Sequence, residues 1–147
     1  MKRKIGIIGT LMISFFVFTS LLPGPGKCTG DEEYTKAMKA IGNFRLIKDY
    51  RVSLKKGEKI TLNISLTAGL KYKFYTEDNP ENTSKMIMTI YMKPNEQIKL
   101  ASTQSNSSKK HFPAIEFECG RSGTYYLVIN FEGDDKGCGV GMFTVAK

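Results

Sequence analysis

The most reactive side chains in this 147-residue sequence are three cysteines and a single histidine. A thiol attacks only as its thiolate, and a protease-type site needs a base beside it. His111 is flanked by Lys109 and Lys110 at the edge of a polar stretch and reads as solvent-exposed. Neither a Cys–His nucleophile nor the short paired spacings of a structural zinc site can be assembled from this set. The expectation is no catalytic residue, no cofactor and no metal. An oxidising compartment would let Cys119 and Cys138 pair, contributing about 3 kcal/mol through chain entropy. In a plain run of hairpins the intervening strand would hold them roughly 25 Å apart. The bridge therefore requires a crossover between sheets or a folded-back loop.

Oxygen chemistry is more plentiful. Glu77, Asp78 and Asn79 form one acidic loop and Asp134 and Asp135 another. Calcium takes several such ligands, but neither loop has EF-hand spacing, and both read as solvated turns. Glu116 and Glu118 share one face of a strand beside Phe117, where solvent explains them. Tyr72, Tyr75, Tyr91, Tyr125 and Tyr126 all fall in expected strands. Planar rings stack on sugars and serve protein contacts, so these five are the candidate ligand-facing aromatics; filling a core is the competing use. Asn-x-Ser/Thr triplets at Asn63, Asn82 and Asn106 are incidental in a bacterial chain.

The chain begins with Lys2, Arg3 and Lys4, and Ile5 to Leu22 then carry no charge. That is the order of a secretory signal, and Pro23, Gly24, Pro25 and Gly26 end any helix the apolar run forms. Residues 1–27 are expected to be a signal peptide, with a retained membrane anchor as the alternative, since the run is long enough to span. Cys28 follows directly. Lipidation there competes with conventional cleavage after Gly26, because Pro25, Gly26 and Lys27 depart from the usual lipoprotein pattern. The acidic run Asp31, Glu32 and Glu33 resembles the surface-export signal of some Bacteroidetes lipoproteins. The expected location is the periplasm, the outer-membrane surface or the medium. Without the four bases of the leader, the formal charge of +8 falls to +4, from 18 basic and 14 acidic side chains. Those charges are interspersed, with no basic stripe for nucleic acid.

Positioning elements follow from periodicity. DEEYTKAMKAIG reads as a short helix with Asp31 as cap, Tyr34, Ala37 or Met38, and Ile41 on one face, and Gly42 as its stop. Strands follow: Phe44 to Leu54 on one parity, then Ile60, Leu62, Ile64 and Leu66 alternating with polar residues. Further strands are expected at Leu70–Phe74, Met86–Met92, Ile98–Ser102, Ile115–Phe117, Thr124–Phe131 and Val140–Val145, separated by Gly, Asn and Pro turns. Residues 102–110 read as a polar linker. The fold class is all-β: a two-sheet antiparallel β-sandwich of jelly-roll type, with a short N-terminal helix. A small closed barrel is the runner-up. The domains are 1–27 leader or anchor, 28–43 linker and helix, and 44–147 sandwich.

From Lys55 onward, the segments KKGEKITLNI, GLKYKFY, MTIYM with IKLAS, and GRSGTYYLVINF resemble the bacterial pre-peptidase C-terminal type of β-sandwich. The chain is also similar to small exported Bacteroidetes proteins of unassigned function. The first resemblance implies an accessory module beside a secreted enzyme. The functional expectation is an exported, non-enzymatic binding or accessory module acting on protein, glycan or cell-envelope components. Membrane association would run through Cys28 or an uncleaved N-terminal segment. The alternatives are a carbohydrate-binding module with two coplanar rings on one sheet face, a secreted inhibitor, or a small hydrolase. Intact mass of the protein from its native envelope separates the maturation routes. A diacyl or triacyl mass on a chain beginning at Cys28 marks lipidation; an unmodified chain beginning near Lys27 marks ordinary cleavage.

Overall fold

The structure, a computed structural model, describes residues 29–133 and 135–147. The expected leader, Cys28 and Asp134 lie outside the described residues. Among those described, one helix, α1 (Asp31–Ala40), precedes eight strands. They are β1 (Phe44–Leu54), β2 (Lys59–Leu66), β3 (Lys71–Asp78), β4 (Lys85–Lys93), β5 (Gln97–Ser102), β6 (Ala114–Glu118), β7 (Gly123–Glu132) and β8 (Gly137–Ala146). Two four-stranded antiparallel sheets result, ordered β1-β8-β3-β6 and β2-β7-β4-β5. Successive strands mostly alternate between the sheets, which is the jelly-roll arrangement.

Alternation decides what meets between the sheets. From β7, Tyr125, Leu127, Ile129 and Phe131 point inward, and from β4, Met86, Met88 and Ile90 do the same. From the other sheet come Val52, Tyr72, Phe74, Phe143 and Val145. The Phe74 and Phe143 rings stack with centroids 5.0 Å apart. Each such large side chain contributes about 1.5–3 kcal/mol by leaving water.

Strand β8, GCGVGMFTVA, is buried on both faces. Its inward glycines receive the methionines of β4: a Cβ on Gly139 would lie 3.1 Å from Met86 Cε, and one on Gly141 3.0 Å from Met88 Sδ. Its outward Val140 and Met142 are covered by Ala37 of α1 and by Ile41 just after it, with Tyr34, Leu46 and Tyr75 packed around them. The helix is capped by Gly30, whose φ is +71°, and not by the Asp31 side chain expected from sequence. Asp31 instead pairs with Arg51 on β1, whose guanidinium also donates to Thr29 O at 3.2 Å. Buried Glu33 accepts from Asn79 Nδ2 at 2.8 Å, tying the helix to the β3–β4 loop.

The single parity expected for β1 does not hold. The register against β8 shifts between Leu46 and Lys48. Leu46 consequently joins the cluster beneath α1, while Val52 and Leu54 face the main core. One extra residue, Ile47, lets a single strand serve both layers.

The expected Cys119–Cys138 disulfide is overturned: Cys119 is a free, buried thiol. Its backbone exchanges hydrogen bonds with Gly69 and Leu70 at the start of β3, whereas Cys138 O accepts from Asn79 N at the end of β3. The whole of β3 lies between them, about 30 Å at 3.3 Å per residue, far beyond disulfide reach. Thr103 corrects the expected polar linker, since it is fully buried and its Oγ1 accepts from Met88 N at 2.9 Å.

The glycine contacts make a graded prediction. Gly139→Ala places its Cβ 2.6 Å from the Glu77 backbone oxygen, which cannot swing aside, whereas Gly141→Ala meets the flexible Met88 thioether. Urea denaturation should show Gly139→Ala losing about 1–3 kcal/mol and Gly141→Ala losing less. Equal losses would remove the distinction between rigid and yielding neighbours.

Candidate functional site

The outer faces of the two sheets differ. That of the first is closed at its centre by α1, while that of the second, β2-β7-β4-β5, is not covered by a helix. Strand register places its side chains in rows. One runs Asn63, Tyr126, Tyr91, Lys99, and the next Thr61, Val128, Thr89, Ser102. Thr89 Oγ1 and Ser102 Oγ share a hydrogen bond of 2.9 Å. A third row holds Lys59, Asn130 and Ile87.

Val128 and Ile87 point outward yet are buried, at 4% and 6% exposure. The β4–β5 turn folds back over this face, and the Glu96 carboxylate forms an ion pair with Lys59 Nζ. Asn95 and Glu96 in this turn, and Ile98 at the start of β5, all have positive φ near 60°. For β-branched Ile98 that is a strained conformation, which the surrounding pairing must hold in place. Two clefts result, of ≈ 300 and ≈ 310 Å³, sharing Lys59, Glu96 and Val128 in their walls. Desolvation, then the Glu96 charge, raises the Tyr91 phenol above its ordinary pKa.

A separate cleft of ≈ 290 Å³ gathers ionisable groups: Glu77, Asp78, Lys85 and His111 line it. His111 Nε2 lies 2.7 Å from Glu132 Oε2, and Gln104 bonds the same carboxylate. An isolated Gln104↔His111 bridge brings the histidine there. His111 is thus neither isolated nor fully exposed, and a pairing across 21 positions of chain leaves no local signal in sequence. The acids in this cleft already have structural partners. Asp78 Oδ1 accepts from Met86 N at 2.7 Å, and Oδ2 lies 3.6 Å from Lys85 Nζ. Glu77 accepts from Tyr75 OH at 2.6 Å; burial and that bond raise the Tyr75 phenol well above its usual range. The arrangement can orient backbone and balance charge. His111 Nδ1 is left buried without a hydrogen-bond partner, while its Nε2 is held by Glu132.

The five candidate tyrosines separate. Tyr72 and Tyr125 lie in the core at 3% and 5% exposure, which corrects the expectation that they face a ligand. Tyr72 OH accepts from Thr67 N, and Tyr125 OH donates to Arg121 O at 2.6 Å. The latter locks the turn entering β7, as the tyrosine corner of other sandwiches does. The Cys119 thiol donates to the same carbonyl at 3.1 Å, and Ser122 Oγ accepts from Ala68 N. Tyr75 packs beside α1. Tyr91 and Tyr126 are direct cross-strand partners on the uncovered face, and neither is fully buried. Glu116 sits between Lys71 and Lys73, at 3.9 and 3.8 Å, and Glu118 is exposed. Among the described residues, no three His, Cys, Asp or Glu side chains are grouped to hold a metal ion. Nor is any helix among them long and apolar enough to cross a membrane.

No family model and no curated protein matches this sequence. Among solved structures the fold is similar to the crystal structure of Aeromonas hydrophila PliG, a periplasmic lysozyme inhibitor of g-type lysozyme. The TM-score is 0.50 at 7% identity, covering 67% of this chain and 84% of that one. The likeness is one of β-sandwich architecture.

Asp78 provides a pH test. Burial, opposed by the Met86 amide and Lys85, raises its pKa above 3.8. A raised folded-state pKa means the native protein holds this proton more tightly than the unfolded chain. The resulting stabilisation is full below pH 3.8 and is lost as pH rises through the folded-state value. Asp78→Asn keeps an acceptor for Met86 N and should remove this part of the pH dependence in denaturation series across the acid range. An unchanged profile would show that Asp78 does not titrate abnormally.

Proposed function

We propose that this chain is an exported, non-enzymatic binding module of the cell envelope. Its contact surface is the uncovered face of the β2-β7-β4-β5 sheet. The observation carrying this reading is the asymmetry between the sheets. The protein's own helix covers the first outer face. The second presents two adjoining clefts and a cross-strand tyrosine pair. Export is supported by the charged and apolar order of residues 2–22. A role without turnover is supported by the structural use of the acids around His111. The accessory role implied by the resemblance of GRSGTYYLVINF to pre-peptidase C-terminal modules fits the same reading. In this chain, that motif's Ser122 and Tyr125 hold a turn.

An inhibitor-type action on a protein partner is the second reading, and the structural likeness to PliG favours it. Both readings are tested with the full chain and Asn63→Arg, which puts a bulky charge into the uncovered face from an exposed edge-strand position. Stability should change by no more than about 0.5 kcal/mol. Retention of the wild-type chain on isolated envelope material should fall at least about tenfold in the variant, while Lys39→Glu on the exposed side of α1 leaves it unchanged. Equal retention of wild type and Asn63→Arg would remove this face as the contact surface. Slowing of peptidoglycan clearing by a g-type lysozyme, reversed by Asn63→Arg, would assign a protein partner.

A further inference from the structure

We infer that the two clefts of the uncovered face form one site for a neutral oligosaccharide, laid over Tyr91 and Tyr126. This rests on the reading of that face as the contact surface and names its ligand class. Tyr91 and Tyr126 are directly opposite each other on adjacent strands. Paired strands stand about 4.8 Å apart, so both side chains rise from one patch of this face, Tyr91 lining the first cleft and Tyr126 the second.

The chemistry around that patch is matched to hydroxyl groups. Asn63, Thr61 and Ser102 stand in the same row as the tyrosines or the next, and Asn130 one row further on. Amides and hydroxyls donate and accept alike, as sugar hydroxyls do.

Charge decides against acidic ligands. The four charged side chains lining the clefts, Glu58, Lys59, Glu96 and Lys99, all have protein partners. Lys59 and Glu96 pair with each other, Glu58 accepts from Lys55 N at 2.8 Å, and Lys99 donates to Asn106 Oδ1 at 2.6 Å. Two acids and two bases leave no net charge to recruit a phosphate or a uronic acid. A protein hot spot would need a desolvated, largely apolar centre, whereas the first cleft is walled by Glu58, Lys59, Thr89, Ser102 and Asn130. The clefts fall in the size range of small-ligand sites.

The test is calorimetric titration of the full chain with neutral hexose and N-acetylhexosamine oligomers and with uronic-acid oligomers. Saturable binding of a neutral oligomer is expected, weakened at least about tenfold by Tyr91→Ala and by Tyr126→Ala, and unchanged by Tyr75→Phe on the other sheet. Amide shifts in the unmodified chain during the titration, expected at Thr61, Asn63 and Tyr126, decide the matter should either alanine variant fail to fold. Preference for the acidic oligomers, or shifts confined to other regions, would overturn the inference. If no neutral oligomer binds while Asn63→Arg still lowers envelope retention, the glycan assignment falls and the binding face stands. If retention is also indifferent to Asn63→Arg, both fall.

Discussion

Gly139 and Gly141 bring the β8 backbone against the thioethers of Met86 and Met88, and this close approach sets how the two sheets mesh. Interiors are packed at crystal-like density, so a strand without side chains on its inner face must be met by long ones opposite. Methionine suits that task because its unbranched chain fills irregular space. The same strand carries Val140 and Met142 on its other face, and those would be left in water by the sheet alone. Helix α1 is therefore required by β8, and the β1 bulge follows in turn, since Leu46 must reach the helix while Val52 reaches the core.

Much of this was legible where one face of a strand is apolar and the other polar. Ile60, Leu62, Ile64 and Leu66 announced β2 because their neighbours are Thr61, Asn63, Ser65 and Thr67. Strand β8 was legible only in part, since burial on both faces removes the alternation that marks a strand. The parity of β4 was likewise ambiguous, because Ile87 and Thr89 are buried beneath the folded-back β4–β5 turn. No local rule anticipates that turn, whose non-glycine residues adopt positive φ.

The site was less legible than the fold. Parity within TYYLVINF sets Tyr125 with Leu127, Ile129 and Phe131 toward the core and Tyr126 on the opposite face, whereas only cross-strand register shows that Tyr91 shares that outer face with Tyr126. Cysteine arithmetic misled because it sees number and compartment but not strand order. Crossing between sheets placed Cys119 and Cys138 at opposite ends of β3. The His111–Glu132 contact is likewise a product of topology, assembled from a loop and the end of β7.

The attachment of α1 also has a mechanical meaning. The helix lies outside the first sheet, and its start is fastened to β1 through Arg51, which holds Thr29 and Asp31. A pull on Thr29 or Asp31 is met by that guanidinium and passed to the β1–β8 pairing. The tyrosine pair lies on the far side of the sandwich, separated from that point by both sheets. Tension at the N-terminal end thus bears on one layer, while the surface facing the opposite direction keeps its shape under load.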